Sequence, residues 1–127
     1  MINIGIIGYG YWGPNLVRNF AETPGARVAA VADLDKAKLE TVQRRYPTVK
    51  TTTNFQELLQ DPSIDAIAVA TPVSTHFEFG MAALKAGKHL WVEKPPPLTD
   101  GAVGLDVIRA LAAAQRSLEQ SGAFVTI

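Results

Sequence analysis

The residues with the clearest chemical potential lie near the amino end, where Gly8, Tyr9, Gly10, Tyr11, Trp12 and Gly13 form a GxGxxG pattern between an apolar run and an amphipathic one. Glycine at the first position allows a tight turn, at the second it lets backbone approach a pyrophosphate, and at the third it lets a helix pack closely on a strand. A helix starting there aims free amide hydrogens and the positive end of its dipole at an anion. Asp33 follows 20 residues after Gly13, at the end of the next apolar run, where a carboxylate can accept hydrogen bonds from ribose hydroxyls. Together the turn and the carboxylate predict a dinucleotide site. The competing role for Asp33 is an entry cap for the helical segment that begins at Asp35. A carboxylate here repels a 2′-phosphate, and Leu34 follows where an NADP site more often offers arginine or serine. NAD is therefore expected over NADP, with Lys36 and Lys38 close enough to alter the balance. S-adenosylmethionine enzymes, whose usual turn is GxGxG, are disfavoured by the third glycine spacing. Tyr11 and Trp12 either cover the cofactor or anchor the first helix.

These residues need a frame, and the rest of the chain supplies one. Short runs rich in valine, isoleucine and alanine alternate with longer amphipathic segments, the pattern of βαβ units stacked into a parallel sheet. Strands are predicted over Asn3–Ile7, Arg27–Ala32, Val49–Thr52, Asp65–Ala70, His89–Val92 and Ala123–Ile127. Helices are predicted over Trp12–Ala21, Asp35–Tyr46, Phe55–Gln60, Thr75–Ala86 and Asp100–Gln120. The fold expected is α/β, a doubly wound and mainly parallel sheet of about six strands in the order 3-2-1-4-5-6, with helices on both faces. Pro14 fits the first turn of the first helix, and Thr23, Pro24 and Gly25 end it. Thr75 with Glu78 fits a capping box, and Gly87 a left-handed helix end. Pro95, Pro96 and Pro97 must form a non-helical connection.

Composition narrows the partners. The 127 residues suffice for one domain, read here as spanning 1–127, and 12 basic residues balance 12 acidic ones, so no net field draws the chain to nucleic acid or anionic lipid. Without cysteine there is no disulfide, thiol catalysis or zinc-thiolate site. No apolar stretch reaches the roughly 18 residues a membrane span needs, and Met1 runs into a strand without a signal-peptide pattern, so a cytoplasmic location is expected.

In open α/β sheets ligands bind beyond the carboxyl ends of the strands, which draws attention to two further segments. The fourth strand is followed by Thr71, Pro72, Val73, Ser74, Thr75 and His76, and the fifth by Glu93, Lys94 and Pro95. With Ala86, Gly87, Lys88 and His89 between them, these segments resemble the glucose-fructose oxidoreductase and inositol dehydrogenase (Gfo/Idh/MocA) family, whose cofactor domain carries a TP, then a histidine, an AGKH run and EKP. The resemblance covers nearly all of the chain, clearly through Pro95 and more faintly beyond it, where three consecutive prolines depart from the family's usual Pro, Leu and small residue. It implies that Thr71 and Pro72 line the cofactor near its nicotinamide ribose and that His76 lies by the same ligand. The competing reading of His76 is a helix-start residue bonded locally. It further implies that Lys94 reaches the nicotinamide and the substrate hydroxyl, stabilising oxygen charge as hydride leaves carbon. Glu93 would support that lysine. Without the resemblance the two are an ordinary ion pair at a strand end. His89 is expected to be structural.

Members of the resembled family carry a second, α+β domain that forms the substrate wall, and the end of this chain at Ile127 falls where that domain would begin. The expectation is a dinucleotide-binding domain of an NAD(P)-dependent oxidoreductase acting on a sugar, cyclitol or related polyol. Turnover would need the substrate domain, since the chain alone cannot hold a donor carbon against the nicotinamide. Two other readings stand beside it: a free-standing NAD(H) sensor acting through a partner, and a structural remnant that binds nothing. An uncovered last strand would favour self-association.

Overall fold

Apolar runs without polar alternation become strands covered on both faces. Such runs supply the central strands of a five-stranded parallel sheet in the computed structural model, which describes residues 1–93, while the short strand Lys50–Thr52 is polar and only partly buried. The strands are β1 (Ile2–Ile7), β2 (Ala26–Ala32), β3 (Lys50–Thr52), β4 (Ala66–Val69) and β5 (His89–Val92), in the order β3-β2-β1-β4-β5. Four helices connect them: α1 (Gly13–Glu22), α2 (Lys36–Arg45), α3 (Gln56–Gln60) and α4 (His76–Lys85). The doubly wound parallel frame is as the sequence predicts. The predicted helix Asp100–Gln120, the strand Ala123–Ile127, the proline connection and Lys94 lie outside the described residues.

Each face of the sheet has its own core. On one, Leu16 and Val17 of α1 and Leu39 and Val42 of α2 pack with Ile4 and Ile6 of β1 and with Val28 and Val31 of β2. On the other, Leu58 and Leu59 of α3 and Ala83 of α4 pack with Ile7, Ile67 and Val69. Side chains of β4 are therefore sealed on both sides, which is why its sequence, Ala66–Val69, has no polar position. Truncating a residue such as Ile67 would remove buried apolar atoms and leave a cavity, a loss of about 2–5 kcal/mol.

The punctuation is mostly local chemistry. Pro14 sits in the first turn of α1, where no amide hydrogen is required. Asp35 caps α2, its carboxylate accepting from Ala37 N at 2.9 Å, while Arg44 and Arg45 complement the dipole at the other end. After α4, Gly87 turns left-handed at φ +72°. Gly87 N donates to Leu84 O at 3.0 Å and Lys88 N to Ala83 O at 3.0 Å, a Schellman closure.

The expected capping box is not formed. Val73–Thr75 make a short 3-10 turn, and Thr75, the last residue of it, has φ −106° and ψ −3° in place of the extended conformation of a capping threonine. Its hydroxyl therefore points back to Pro72 O and Thr71 Oγ1, at 2.7 Å each, and caps nothing. Lys88, part of the AGKH run, proves to be a staple. Its Nζ donates to Asp61 O at 2.6 Å and Ile64 O at 2.8 Å, fixing the loop between α3 and β4 against the start of β5.

Candidate functional site

From β1 the chain winds outward through β2 and β3, then returns to place β4 on the other side of β1. The reversal between β1 and β4 opens a crevice at the carboxyl ends of the strands. A cavity of about 1000 Å³ occupies that place, its wall including Gly8 and Gly10 after β1, Asp33 after β2, Thr71 after β4 and Glu93 after β5. Residues far apart in sequence and predicted to act on one ligand are thus brought to one hollow.

The glycine turn divides into two kinds of position. Gly8 has φ +99°, and a Cβ there would lie 2.9 Å from the carbonyl carbon and oxygen of Ala70. At Gly13 a Cβ would lie 2.7 Å from Gly8 O. Both are demanded by the protein's own backbone. Gly10 differs: it has no positive φ, and a Cβ added to it would meet nothing within 4 Å, although the residue lines the cavity. Nothing in the described chain requires a glycine there, so the bare backbone faces space that a ligand would fill. The helix behind it is also prepared for an anion. Trp12 at the N-cap makes no side-chain capping bond and the first turn of α1 carries no acidic residue, so neither of these neutralises the positive end of its dipole.

Asp33 does two jobs with its two oxygens. Oδ2 accepts from Tyr9 N at 2.7 Å, tying the glycine turn to the end of β2, and Oδ1 accepts from Asp35 N at 2.8 Å. The helix cap proper is Asp35, so Asp33 stays at the cavity wall with lone pairs beyond those two bonds. Lys38, from α2, lines the same end.

The aromatic residues of the turn part company. Tyr9 turns inward into the core beneath α1 and α2, where burial raises its hydroxyl pKa. Tyr11 and Trp12 stay out, 85% and 41% exposed, as an edge-to-face pair with centroids 5.1 Å apart at the cavity wall. Helix anchoring falls to Tyr9, Leu16 and Val17. Sequence alone does not separate Tyr9 from Tyr11, because the direction of each side chain follows from the turn's path over the sheet.

On the β4 side, Ala70 N continues the ladder to Ile7 O at 2.8 Å, and Thr71 and Pro72 follow on the cavity wall. His76, which opens α4, is only 3% exposed. Its Nε2 lies 2.7 Å from Thr71 O; a carbonyl only accepts, so Nε2 carries the hydrogen and Nδ1 is left as an acceptor. Nδ1 is buried without a partner among the described residues. Burial holds the imidazole pKa below its ordinary value, against the upward pull of the Thr71 bond and the Glu93 charge. Glu93 extends the β5 ladder, its N donating to Val69 O at 3.1 Å, and borders the cavity. Thr75, which sequence reasoning treats only as a cap, belongs to this wall as well.

Among the described residues no group of three or more His, Asp or Glu side chains could hold a metal ion, and no helix is long and apolar enough to cross a membrane. Comparison with known proteins agrees with the geometry. The profile of a family described as an oxidoreductase family with an NAD-binding Rossmann fold matches residues 2–120. The chain is 37% identical over 99 residues to scyllo-inositol 2-dehydrogenase (NAD(+)) of Bacillus subtilis (strain 168), covering 78% of this chain and 28% of that protein. It is 33% identical over 101 residues to the scyllo-inositol 2-dehydrogenase (NADP(+)) IolW of the same organism, covering 77% and 27%. Among solved structures, apo scyllo-inositol dehydrogenase from Lactobacillus casei superposes with a TM-score of 0.75 at 29% identity, covering 97% of this chain and 34% of that one. The chain thus spans about a third or less of the length of these relatives. A phosphate-ready turn at the switch point of a parallel sheet, together with these matches, places the chain in the Gfo/Idh/MocA oxidoreductase family, as its NAD(P)-binding Rossmann domain.

Proposed function

We propose that this domain holds the dinucleotide for hydride transfer between its nicotinamide and a hydroxyl-bearing carbon of a sugar, cyclitol or related polyol. The observation that carries the reading is Gly10, whose missing side chain leaves open space in front of an uncapped helix end. The residues present fit the group. The backbone of Gly8–Gly13 and the α1 amino end would receive the pyrophosphate, and Asp33 would accept from the adenosine ribose. Thr71 and Pro72 would border the second ribose. Tyr11 and Trp12 would cover the ligand and keep water from the turn. The bound nicotinamide would supply the hydride acceptor or donor.

Within this chain, the residue proposed to act on the reacting oxygen is Lys94, the next residue in sequence after Glu93, which itself borders the cavity. A cation there would orient the alcohol and stabilise negative charge on its oxygen. Glu93 is proposed as its support. NAD is proposed over NADP because the Asp33 carboxylate would lie against a 2′-phosphate; Lys38 at the same end is the residue that could offset this repulsion. The relatives named above support a cyclitol as substrate class. Since they are about three times as long, the wall that holds the polyol is assigned to the part they have in addition, and the chain by itself is proposed to bind cofactor without turnover.

The test is calorimetry with NADH, followed by a dehydrogenase assay on inositols and sugars. Binding of NADH without turnover is expected; absence of binding at millimolar cofactor would refute the reading. Asp33→Ala should weaken NAD more than NADP, and an equal loss would remove the proposed cofactor preference.

A further inference from the structure

Thr71 is held from three sides. His76 Nε2–H donates to its carbonyl at 2.7 Å. Its γ-methyl stands beside Gly8, 2.9 Å from where a Cβ on that glycine would lie. Its hydroxyl is 2.7 Å from Thr75 Oγ1, and Thr75 Oγ1 is also 2.7 Å from Pro72 O. The last two distances fix the direction of the chain of hydrogens. A carbonyl can only accept, so the single proton of Thr75 goes to Pro72, and the Thr71 hydroxyl must donate to Thr75. With its proton spent, Thr71 Oγ1 has lone pairs alone to offer a ligand.

The topology says which part of a ligand that would be. Because β2 and β4 flank β1, a molecule with its pyrophosphate on the turn after β1 lays one half over Asp33 and the other over Thr71. Both ends then present acceptors, and the middle presents amide donors. A pyrophosphate with a diol on either side matches this order. We propose that Thr75 and His76 are positioning residues that hold Thr71 as a hydrogen-bond acceptor for the ribose of the nicotinamide half. This assignment rests on the dinucleotide reading and deepens it: neither residue needs to touch the ligand, and each acts through Thr71, one on its hydroxyl and the other on its carbonyl.

The experiment is calorimetry on the full chain with two probes, NAD⁺ and ADP. ADP reaches the Asp33 end and the glycine turn but has no group for Thr71. Thr75→Val keeps the shape of the side chain and frees the Thr71 hydroxyl to rotate. It should weaken NAD⁺ about tenfold, or about 1.4 kcal/mol, and leave ADP within about twofold. Thr75→Ser, which restores the relay, should recover NAD⁺ affinity. His76→Gln, able to keep an N–H on the Thr71 carbonyl, should lose less than His76→Leu. Unchanged NAD⁺ affinity in Thr75→Val, equal weakening of both probes, or no recovery with serine would each overturn the assignment. A fault of folding would strike NAD⁺ and ADP alike. If the unaltered chain bound neither probe, the dinucleotide reading itself would fall with it, whereas binding of both by an indifferent Thr75→Val would remove only the positioning role.

Discussion

The three glycines of the turn look alike in sequence and answer to different physical demands, so their substitutions should separate. Gly13→Ala drives a Cβ to 2.7 Å from Gly8 O, a backbone atom that cannot move aside without opening the turn against β4. A stability loss of about 1–3 kcal/mol is expected, measured by denaturant midpoint. Gly10→Ala meets no atom within 4 Å among the described residues, so the midpoint should hold within about 0.5 kcal/mol while NAD⁺ affinity falls. An unfolded Gly10→Ala, or one that binds NAD⁺ as well as before, would show that the open space is not where the ligand lies. At this scale the sequence was informative in kind and blind in direction. The pattern pointed to a phosphate turn, yet only the coordinates show that Tyr9 is core while Tyr11 and Trp12 are surface, and that Asp33 already grips Tyr9 N. Those outcomes depend on the path of the backbone over the sheet, and residue types do not carry that path.

At the scale of elements, β2 and β4 could be read because burial on both faces leaves continuous apolar runs, and the parallel order of the strands follows from the helices between them. What escaped were contacts across long sequence separations and competing local bonds. Lys88 staples two carbonyls 24 and 27 residues away, which no local pattern announces. Thr75 and Glu78 fit a capping box in spacing, but the 3-10 turn that precedes α4 takes the Thr75 hydroxyl for itself. The same junction should respond to pH. His76 is buried and its pKa is depressed, so the unfolded chain takes up a proton that the folded chain resists. The stability contributed by the neutral ring is complete above its ordinary value of 6.5 and is lost as pH falls from there through the depressed folded value. The midpoint of the unaltered chain should therefore drop on acidification from pH 7.5 to 5 more than that of His76→Gln, which has no proton to gain. Parallel pH curves would show that the ring is not sealed from water. Lys88→Met, keeping the stem and losing both donors, leaves two partly buried carbonyls short of partners and should cost about 1–3 kcal/mol without changing NAD⁺ affinity.

For the molecule as a whole, the cavity joins the ends of all five strands among the described residues, so a ligand that fills it ties the β2 and β3 side of the sheet to the β4 and β5 side. The attractions available include backbone amides, one helix end, acceptor side chains and the Lys38 cation, set in a chain whose 12 basic and 12 acidic residues cancel. Binding to the folded form alone stabilises it by RT ln(1 + [L]/Kd), about 2.7 kcal/mol at a hundredfold excess over Kd. For a domain of this size each kcal/mol moves Tm by roughly 4 °C, so NAD⁺ at that excess should raise Tm by about 10 °C. An inositol alone, with no anion for the turn and no adenosine for the Asp33 end, should raise it by less than about 1 °C at the same concentration. The contrast matters more than either value. A rise with NAD⁺ and none with the polyol assigns this domain the cofactor and leaves the substrate to a wall outside it. An equal rise with the polyol alone would mean that the cavity after β4 and β5 recognises hydroxyls without the dinucleotide, and the division of labour proposed for the domain would be wrong.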